Sequence, residues 1–222
     1  MLSYLVTGAN RGIGLELCRQ LCARDEEVFA VCREASPELE ALGVTLYTGI
    51  DVTQPADVER LALDLDCIDL DVLVLNAGIF ERAGFDDLGE PAFEATRRMF
   101  EVNSIAPLRL AHALVDCLYE GSKVAIVTSL MGSMGDNASG GSYGYRMSKA
   151  AVNAAGVSLA RDLQPRGIAV GLLHPGMVAT DMTGGQGIPA EESVRGLLAR
   201  IAELGPDNTG RLWHQDGREL PW

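Results

Sequence analysis

The chain has 222 residues, of which 47% are apolar and 22% are charged, proportions typical of a packed globular domain. Its net charge of −13 and isoelectric point near 4.6 would repel nucleic-acid phosphates and anionic membrane surfaces, so we expect neither partner. A chain of this length commonly folds as one α/β unit, and we expect a single domain over residues 1–222.

Five cysteines are scattered without metal-ligand spacing, and most lie in apolar runs, where a free thiol behaves as a small hydrophobe. They predict a cytoplasmic, reducing environment and no bound metal. The chain opens on an apolar run without a charged leader, and it contains no apolar stretch near twenty residues, so neither export nor a membrane span is expected. The cysteines are Cys18, Cys22, Cys32, Cys67 and Cys117.

Short apolar, β-branched runs alternate with longer amphipathic stretches. Strands that are apolar throughout require a sheet covered on both faces, so the pattern predicts an α/β fold, a doubly wound and mostly parallel sheet of about seven strands. In chain order the predicted elements are strand 3–7, helix 13–23, strands 28–32 and 44–50, helix 56–65, strand 70–75, helix 92–117, strand 123–128, helix 144–162, strand 168–174, helix 190–204 and strand 211–214.

Three irregular segments, 77–91, 130–142 and 182–189, each follow a predicted strand. In a doubly wound sheet the loops at the carboxyl ends of strands form the ligand crevice. We therefore expect these segments to border a binding site.

A glycine-rich turn separates the first strand from the first helix, where a dinucleotide fold needs tight turning and close backbone approach to a pyrophosphate. It reads Thr7-Gly8-Ala9-Asn10-Arg11-Gly12-Ile13-Gly14. Leu15 and Glu16 follow the last glycine, which excludes a P-loop. By itself, the turn is weak evidence, because an ordinary strand-to-helix connection stays open as the alternative.

The end of the second strand carries Cys32 and Arg33, where a fold selective for NAD would place an acidic residue. Arg11 and Arg33 could converge on a 2′-phosphate, to which a guanidinium is geometrically suited. This favours NADP(H) over NAD(H). Two alternatives stay open: the arginines are solvated surface charges, or Glu34 takes the acidic role.

Tyr145 and Lys149 lie four positions apart on a predicted helix and so share one face, whereas Tyr143 points elsewhere. An ammonium near a phenol favours the phenolate and makes tyrosine a usable acid or base. The chain has only two lysines, so a chance Tyr-x-x-x-Lys pair is expected about 0.05 times. Ser129, at the end of a strand, could donate a hydrogen bond to a developing alkoxide, although a serine there is usually a turn residue.

In combination, these residues resemble the short-chain dehydrogenase/reductase family from Ser3 to about Met182. The run 145–149 and the ending around Asp216 and Gly217 resemble its C-factor and small carbonyl-reductase branch. The resemblance is carried by Thr7 to Gly14, Asp51 and Val52, Asn76-Ala77-Gly78, Asn103, Ser129, Tyr145 with Lys149, and Pro175-Gly176-Met177-Val178-Ala179-Thr180.

The resemblance implies a Rossmann domain that binds NADP(H) and reduces an aldehyde, ketone or quinone by hydride transfer, with Tyr145 as proton donor. Ser129 would orient the substrate oxygen, Lys149 would bind the nicotinamide ribose, and Asn103 would hold a water on the proton relay. The remaining cofactor contacts would come from Gly8, Asn10, Arg11, Gly12, Ile13, Gly14, Arg33, Asp51, Val52, Asn76, Ala77, Gly78, Pro175, Gly176, Val178 and Thr180.

Two departures from the family pattern affect the substrate site. Ser129 and Tyr145 are sixteen residues apart, a few more than usual, so Ser133 and Ser142 stay open as the catalytic serine. Only residues 181–189 separate Thr180 from the next predicted helix, where the family often has a longer lid. Segment 130–142 and the ending 212–222, with Trp213 and Trp222, could enclose the site instead, or could be a mobile loop and a docked tail.

Two other functions stay open. The first is a nucleotide-binding signalling or regulatory protein that acts through a partner, an alternative suggested by relatives of C-factor type. A lyase or epimerase on the same fold would use the cofactor without net turnover. The resemblance also suggests a homodimer or homotetramer formed through the long helices, which periodicity alone does not establish.

Overall fold

The apolar runs pair as one parallel seven-stranded sheet in the computed structural model, which describes residues 1–66 and 68–222. The strand order is β3-β2-β1-β4-β5-β6-β7, and every neighbouring pair runs parallel. The predicted doubly wound sheet is confirmed. The strands are β1 Ser3–Thr7, β2 Glu27–Val31, β3 Thr45–Tyr47, β4 Leu70–Leu75, β5 Leu118–Val127, β6 Ala169–His174 and β7 Leu212–His214.

Helices cover both faces of the sheet because each presents an apolar stripe to it. One core contains side chains of α3, α5 and α6, and the other contains side chains of α1 and α7. The helices are α1 Gly12–Cys22, α2 Pro37–Glu40, α3 Pro55–Asp64, α4 Glu90–Phe100, α5 Ala106–Ala113, α6 Tyr143–Leu163 and α7 Ala190–Glu203.

The predicted single helix over 92–117 is wrong. The structure divides it into α4, a π-helical turn over Glu101–Ile105, α5, and a 3₁₀ turn over Val115–Cys117. In an α-helix the N–H of residue 107 would donate to the carbonyl of Asn103, but Pro107 has no N–H. The wider π-helical turn accommodates the missing hydrogen bond. The same turn carries Asn103, so the interruption lies at a predicted site residue.

Two smaller differences have local causes. Strand β5 begins at Leu118, five residues before the prediction, with an irregular register against β4. The four-residue α2 was not predicted because it is too short for a helical period. It begins after Ser36, whose side chain accepts a hydrogen bond from the Leu39 N–H at 3.2 Å.

Strand order decides where a ligand would bind. From β1 the sheet continues to β2 and β3 on one side and to β4 to β7 on the other, so a crevice opens between the loops after β1 and β4. Cys18, Cys22, Cys32 and Cys117 are free thiols, and Cys67 lies outside the described residues. Among the helices of the described residues, none has both the length and the apolar character that a membrane crossing requires.

Candidate active site

The two ends of the glycine turn between β1 and α1 pack so closely that no side chain would fit between them. A Cβ at Gly14 would lie 2.1 Å from the Gly8 carbonyl oxygen, and Gly8 and Gly12 have φ values of +66° and +54°. Among the described residues no side chain caps the start of α1. The first amides of the helix therefore face the crevice as a cradle suited to a pyrophosphate.

The turn after β4 is bonded directly to the glycine turn. Asn76 Nδ2 donates to the carbonyl oxygens of Thr7 and Gly8 at 3.0 and 3.3 Å. The Thr7 hydroxyl oxygen accepts from the N–H groups of Asn76 and Ala77 at 3.0 and 3.2 Å. These bonds hold the two predicted cofactor motifs, 7–14 and 76–78, as neighbours at the crevice.

Arg33 lies with Asn10 and Glu34 around one depression at the outer end of the crevice. The second predicted arginine, Arg11, is instead ion-paired with Asp181 at 3.6 Å, and both of these side chains are exposed. In this structure the two arginines therefore do not share the depression, while Glu34, the acidic alternative, does line it.

The Asp51 carboxylate is occupied by a local turn. Its Oδ1 accepts hydrogen bonds from the N–H and the hydroxyl of Thr53 at 2.9 and 2.8 Å. Burial opposes ionisation, but these bonds and the nearby Arg33 charge hold the pKa of Asp51 below its usual value. Val52 packs against the core beneath it. Asp51 is thus an anionic turn residue with its second oxygen free of that turn.

Tyr145 lies in the first turn of α6, half-buried, with its ring packed edge-on against Phe80 at a centroid separation of 4.9 Å. Tyr143 is exposed, as the helical spacing predicts. Burial raises the pKa of Tyr145 to about 12, and a hydrogen bond with Ser129 partly offsets that rise. The phenol is therefore protonated at neutral pH, and the expected lowering of its pKa by the Lys149 ammonium does not outweigh burial.

Lys149 is almost fully buried one helical turn further along α6. Its Nζ lies 5.8 Å from the centroid of the Tyr145 ring and donates to the Val127 carbonyl oxygen at 3.0 Å. Burial lowers the pKa of Lys149 to about 8. The ammonium is thus mostly charged at pH 7 but titrates close to physiological pH, as expected of a group used in proton transfer.

Asn103 is buried in the π-helical turn and is held at three points. Its Oδ1 accepts from the Ile79 N–H at 2.8 Å, and its Nδ2 donates to the Ile79 carbonyl oxygen at 2.9 Å and to Ser148 Oγ at 3.0 Å. A Cβ at Gly78 would lie 3.3 Å from Asn103 Oδ1 and 3.8 Å from Lys149 Nζ. Asn103 and Lys149 are therefore both brought beside one glycine.

Three serines were candidates for the residue beside Tyr145, and their hydrogen bonds separate them. The Ser129 hydroxyl lies close enough to Tyr145 to lower the pKa of its phenol, and Ser129 Oγ accepts from the Met131 N–H at 3.1 Å. Ser133 Oγ accepts instead from the Asp136 N–H, at 3.1 Å, and Ser142 is a left-handed residue at the start of α6. The geometry favours Ser129.

The segment after β6 crosses to the glycine turn. A Cβ at Gly12 would lie 3.4 Å from Thr180 Cγ2, and Thr180 caps the short 3₁₀ turn Asp181–Thr183. Val178 is buried and bridges to Ile188, so the chain doubles back at once instead of extending as a lid. The predicted motif 175–180 thus closes the crevice on the side facing 7–14.

The C-terminal ending docks on the loop after β5. The tail pairs back along β7, where the Leu220 N–H donates to the Leu212 carbonyl oxygen at 2.8 Å. The Gly135 N–H then donates to the Trp222 carbonyl oxygen, also at 2.8 Å. The two segments proposed to enclose the substrate, 130–142 and 212–222, are therefore in contact.

Ser148 is a contact residue that sequence reasoning did not single out. It is fully buried, its Oγ joins Asn103 Nδ2 and the Tyr145 carbonyl oxygen, and its own carbonyl accepts from Ser104 Oγ at 2.7 Å. The available signal was a small polar residue immediately before Lys149, three positions after Tyr145 and so on the same face of the helix.

The family model for short chain dehydrogenases matches residues 3–188. A 1-hydroxy-2-glutathionyl-2-methyl-3-butene dehydrogenase of a Rhodococcus species is 42% identical over all of both chains, and the C-signal protein of Myxococcus xanthus is 44% identical over 69% of this chain and 93% of its own.

Solved carbonyl reductases share the whole fold. The Sniffer carbonyl reductase of D. melanogaster superimposes with a TM-score of 0.91 at 30% identity over all of both chains. An NADPH-bound carbonyl reductase from chicken fatty liver gives 0.89 at 29% identity, covering 99% of this chain and 98% of its own. This chain therefore belongs to the short-chain dehydrogenase/reductase family and is an oxidoreductase of the carbonyl-reducing type.

Proposed function

We propose that this protein is an NADPH-dependent reductase that converts an aldehyde, ketone or quinone to the alcohol, with Tyr145 as the proton donor. The observation that carries the proposal is the buried Lys149 ammonium 5.8 Å from the Tyr145 ring, at the carboxyl edge of the sheet. A module that only binds a nucleotide gains nothing from burying a charge beside a phenol, whereas acid–base catalysis needs that pairing.

The crevice fits a dinucleotide because its floor is a cradle that a Cβ would fill, at Gly14 above all. When bound, the nicotinamide supplies the hydride that reduces the carbonyl carbon. The residues proposed to hold the cofactor are Gly8, Asn10, Arg11, Gly12, Ile13, Gly14, Arg33, Asp51, Val52, Asn76, Ala77, Gly78, Tyr145, Lys149, Pro175, Gly176, Val178 and Thr180.

Each polar group around the substrate oxygen has a separate task. Tyr145, neutral at pH 7, donates its proton to the oxygen as negative charge develops there. Ser129 hydrogen-bonds to the same oxygen and orients it. The Lys149 ammonium stabilises the phenolate that remains, and Asn103 supports a water through which Lys149 exchanges protons with solvent.

The preference for NADPH rests on Arg33. No acidic side chain directly follows β2, and the guanidinium lines the depression beside the glycine turn. The NADPH-bound state of the chicken carbonyl reductase supports the same preference. Glu34 in the same depression would favour an unphosphorylated ribose, so a comparison of the two cofactors decides between them.

The proposal is tested by NADPH consumption against a panel of aldehydes, ketones and quinones. Tyr145→Phe should lower reduction by about two orders of magnitude or more, the scale of general acid catalysis, while NADPH binding stays nearly intact. Tyr143→Phe is the matched control and should leave turnover unchanged, because that side chain is exposed. The panel includes the glutathionyl alcohol named for the Rhodococcus relative, assayed with NADP⁺.

Unchanged turnover in Tyr145→Phe would contradict the mechanism. NADPH binding without turnover of any panel member would favour the regulatory alternative instead, and isomerised or cleaved products without NADPH consumption would favour an epimerase or lyase.

A further inference from the structure

The end of strand β5 is tied to helix α6 by a buried hydrogen bond that the proposed reaction does not use. Thr128 Oγ1 donates to Asn153 Oδ1 at 2.6 Å, and the two residues are only 2% and 3% exposed. Asn153 follows Lys149 by four residues, one turn of the helix. The bond therefore connects the residue before Ser129 to the helical turn that begins at Lys149.

A second anchor lies just after Ser129. A Cβ at Gly132 would lie 2.7 Å from the Lys149 carbonyl carbon, 2.9 Å from its oxygen and 2.8 Å from Asn153 Nδ2. No side chain fits there, so the backbone of the 3₁₀ turn Leu130–Gly132 rests directly on α6. The Gly132 N–H in turn donates to the Ser129 carbonyl oxygen at 2.9 Å.

Ser129 is thus held from both sides by the same turn of α6. Its hydroxyl must meet Tyr145, one turn earlier on that helix, so any slip of β5 along α6 changes the separation of the two hydroxyl groups. Misplacement of a reacting group by about 1 Å can cost a hundredfold in rate.

We propose that Thr128, Asn153 and Gly132 form a clamp that positions Ser129 against Tyr145, with Thr128 and Asn153 as positioning residues for carbonyl reduction. The expected effect of the clamp on the reaction rate rests on the proposed function. Its effect on the distance between Ser129 and Tyr145 does not. Thr128 and Asn153 would act on the reaction only through Ser129.

The test compares Thr128→Val, which keeps the shape but removes the hydroxyl, with Thr128→Ser, which keeps the hydroxyl. Thr128→Val should lower kcat by roughly tenfold or more with the KM for NADPH unchanged, and Thr128→Ser should stay within about threefold of the wild type. Thr209→Val is the matched control, because it too removes a threonine hydroxyl, but one that bonds to the backbone of β6 at Val170 and not to α6.

Two further variants distinguish a positioning role of Thr128 from a purely structural one. The double variant Thr128→Val with Asn153→Leu replaces both partners by apolar groups, so its stability should recover while its kcat stays low. In a Ser129→Ala background no hydroxyl remains to be positioned, so Thr128→Val should lower kcat by less than about twofold further.

Crystal structures of the wild type and Thr128→Val give a readout that is independent of activity, since the Ser129 to Tyr145 hydroxyl distance should lengthen in the variant. An unchanged distance, an equal loss of kcat in both Ser129 backgrounds, or recovery of kcat in the double variant would overturn the clamp. If Tyr145→Phe retains full turnover, the proposed function fails, while the crystallographic comparison still decides the clamp.

Discussion

Lys149 and Tyr145 are residues whose surroundings disfavour their charged forms. Burial lowers the pKa of Lys149 to about 8 and raises the pKa of Tyr145 to about 12. The pair therefore enters a reduction with the phenol protonated and the ammonium largely charged at pH 7. As pH rises through about 8, Lys149 loses its charge, and the reductive rate should fall.

The buried ammonium is expected to lower stability. Between pH 8 and its ordinary pKa of 10.5, Lys149 is neutral in the folded chain but protonated in the unfolded chain, so unfolding takes up a proton and stability rises with pH across this window. Below pH 8 the full cost remains. Lys149→Met should therefore stabilise the cofactor-free protein at pH 7 by about 1–3 kcal/mol while abolishing reduction.

Thermal unfolding at pH 7 measures this difference. Lys123→Met is the control, because Lys123 is less buried than Lys149 and its Nζ donates to two carbonyl oxygens, those of Ile201 and Ala202 at 2.9 and 2.8 Å, so its loss should stabilise the protein less than the loss of Lys149. A lower melting temperature for Lys149→Met would show that the bond to Val127 outweighs the cost of burial.

Arg33 is expected to select the phosphorylated cofactor. Arg33→Ala should weaken NADPH binding by about tenfold or more, because it removes a charge-assisted contact to the 2′-phosphate, and should leave NADH binding nearly unchanged. Fluorescence titration of each cofactor gives the two Kd values, and Arg24→Ala, which changes an exposed arginine just beyond the C-terminal end of α1, is the control. Equal affinities for both cofactors in the wild type would refute the preference.

At the scale of elements, the C-terminal tail joins two walls of the crevice. A Cβ at Gly176 would lie 3.8 Å from His214 Nε2, and the tail ends on Gly135 of the loop after β5. The tail therefore spans from the segment proposed to hold the nicotinamide to the loop that follows Ser129. We infer that it fixes the substrate-side loop.

Removal of Leu220 to Trp222 should raise the KM for carbonyl substrates roughly fivefold or more, with the Kd for NADPH within about twofold, because Gly135 loses its acceptor. Trp222→Ala keeps the backbone carbonyl and separates the role of the ring from that of the main chain. An unchanged KM in the truncated protein would show that the tail does not bound the substrate site.

The helices were predictable from the sequence where the helical spacing of apolar residues is uninterrupted. The spacing of α1, α6 and α7 placed each within two residues of its observed ends. The π-helical turn was not predictable, because its extra residue leaves the apolar pattern of 92–117 readable as one helix. That turn orients Asn103 toward Ile79 and Ser148, so the missed irregularity lies at the site itself.

At the scale of the whole molecule, the strand order turns scattered motifs into one site. The loops after β1, β4, β5 and β6 are separated by long stretches of chain, yet they meet at one edge because all seven strands run in the same direction. Exposed Phe93, Ile105, Leu108 and Met147 lie on α4, the π-helical turn, α5 and α6. The predicted homodimer or homotetramer through these helices stays a prediction.

The sequence alone determined the parallel sheet, the glycine turn and the Tyr145–Lys149 pairing, because each depends on short-range periodicity or on the conformational freedom of one residue. Only the tertiary structure decided which serine reaches Tyr145, how Asn103 and Lys149 meet beside Gly78, and what holds Ser129 in place. Those outcomes depend on distances between segments that are far apart in the chain. The packing of α6 on the sheet sets these distances, and no local sequence pattern predicts them.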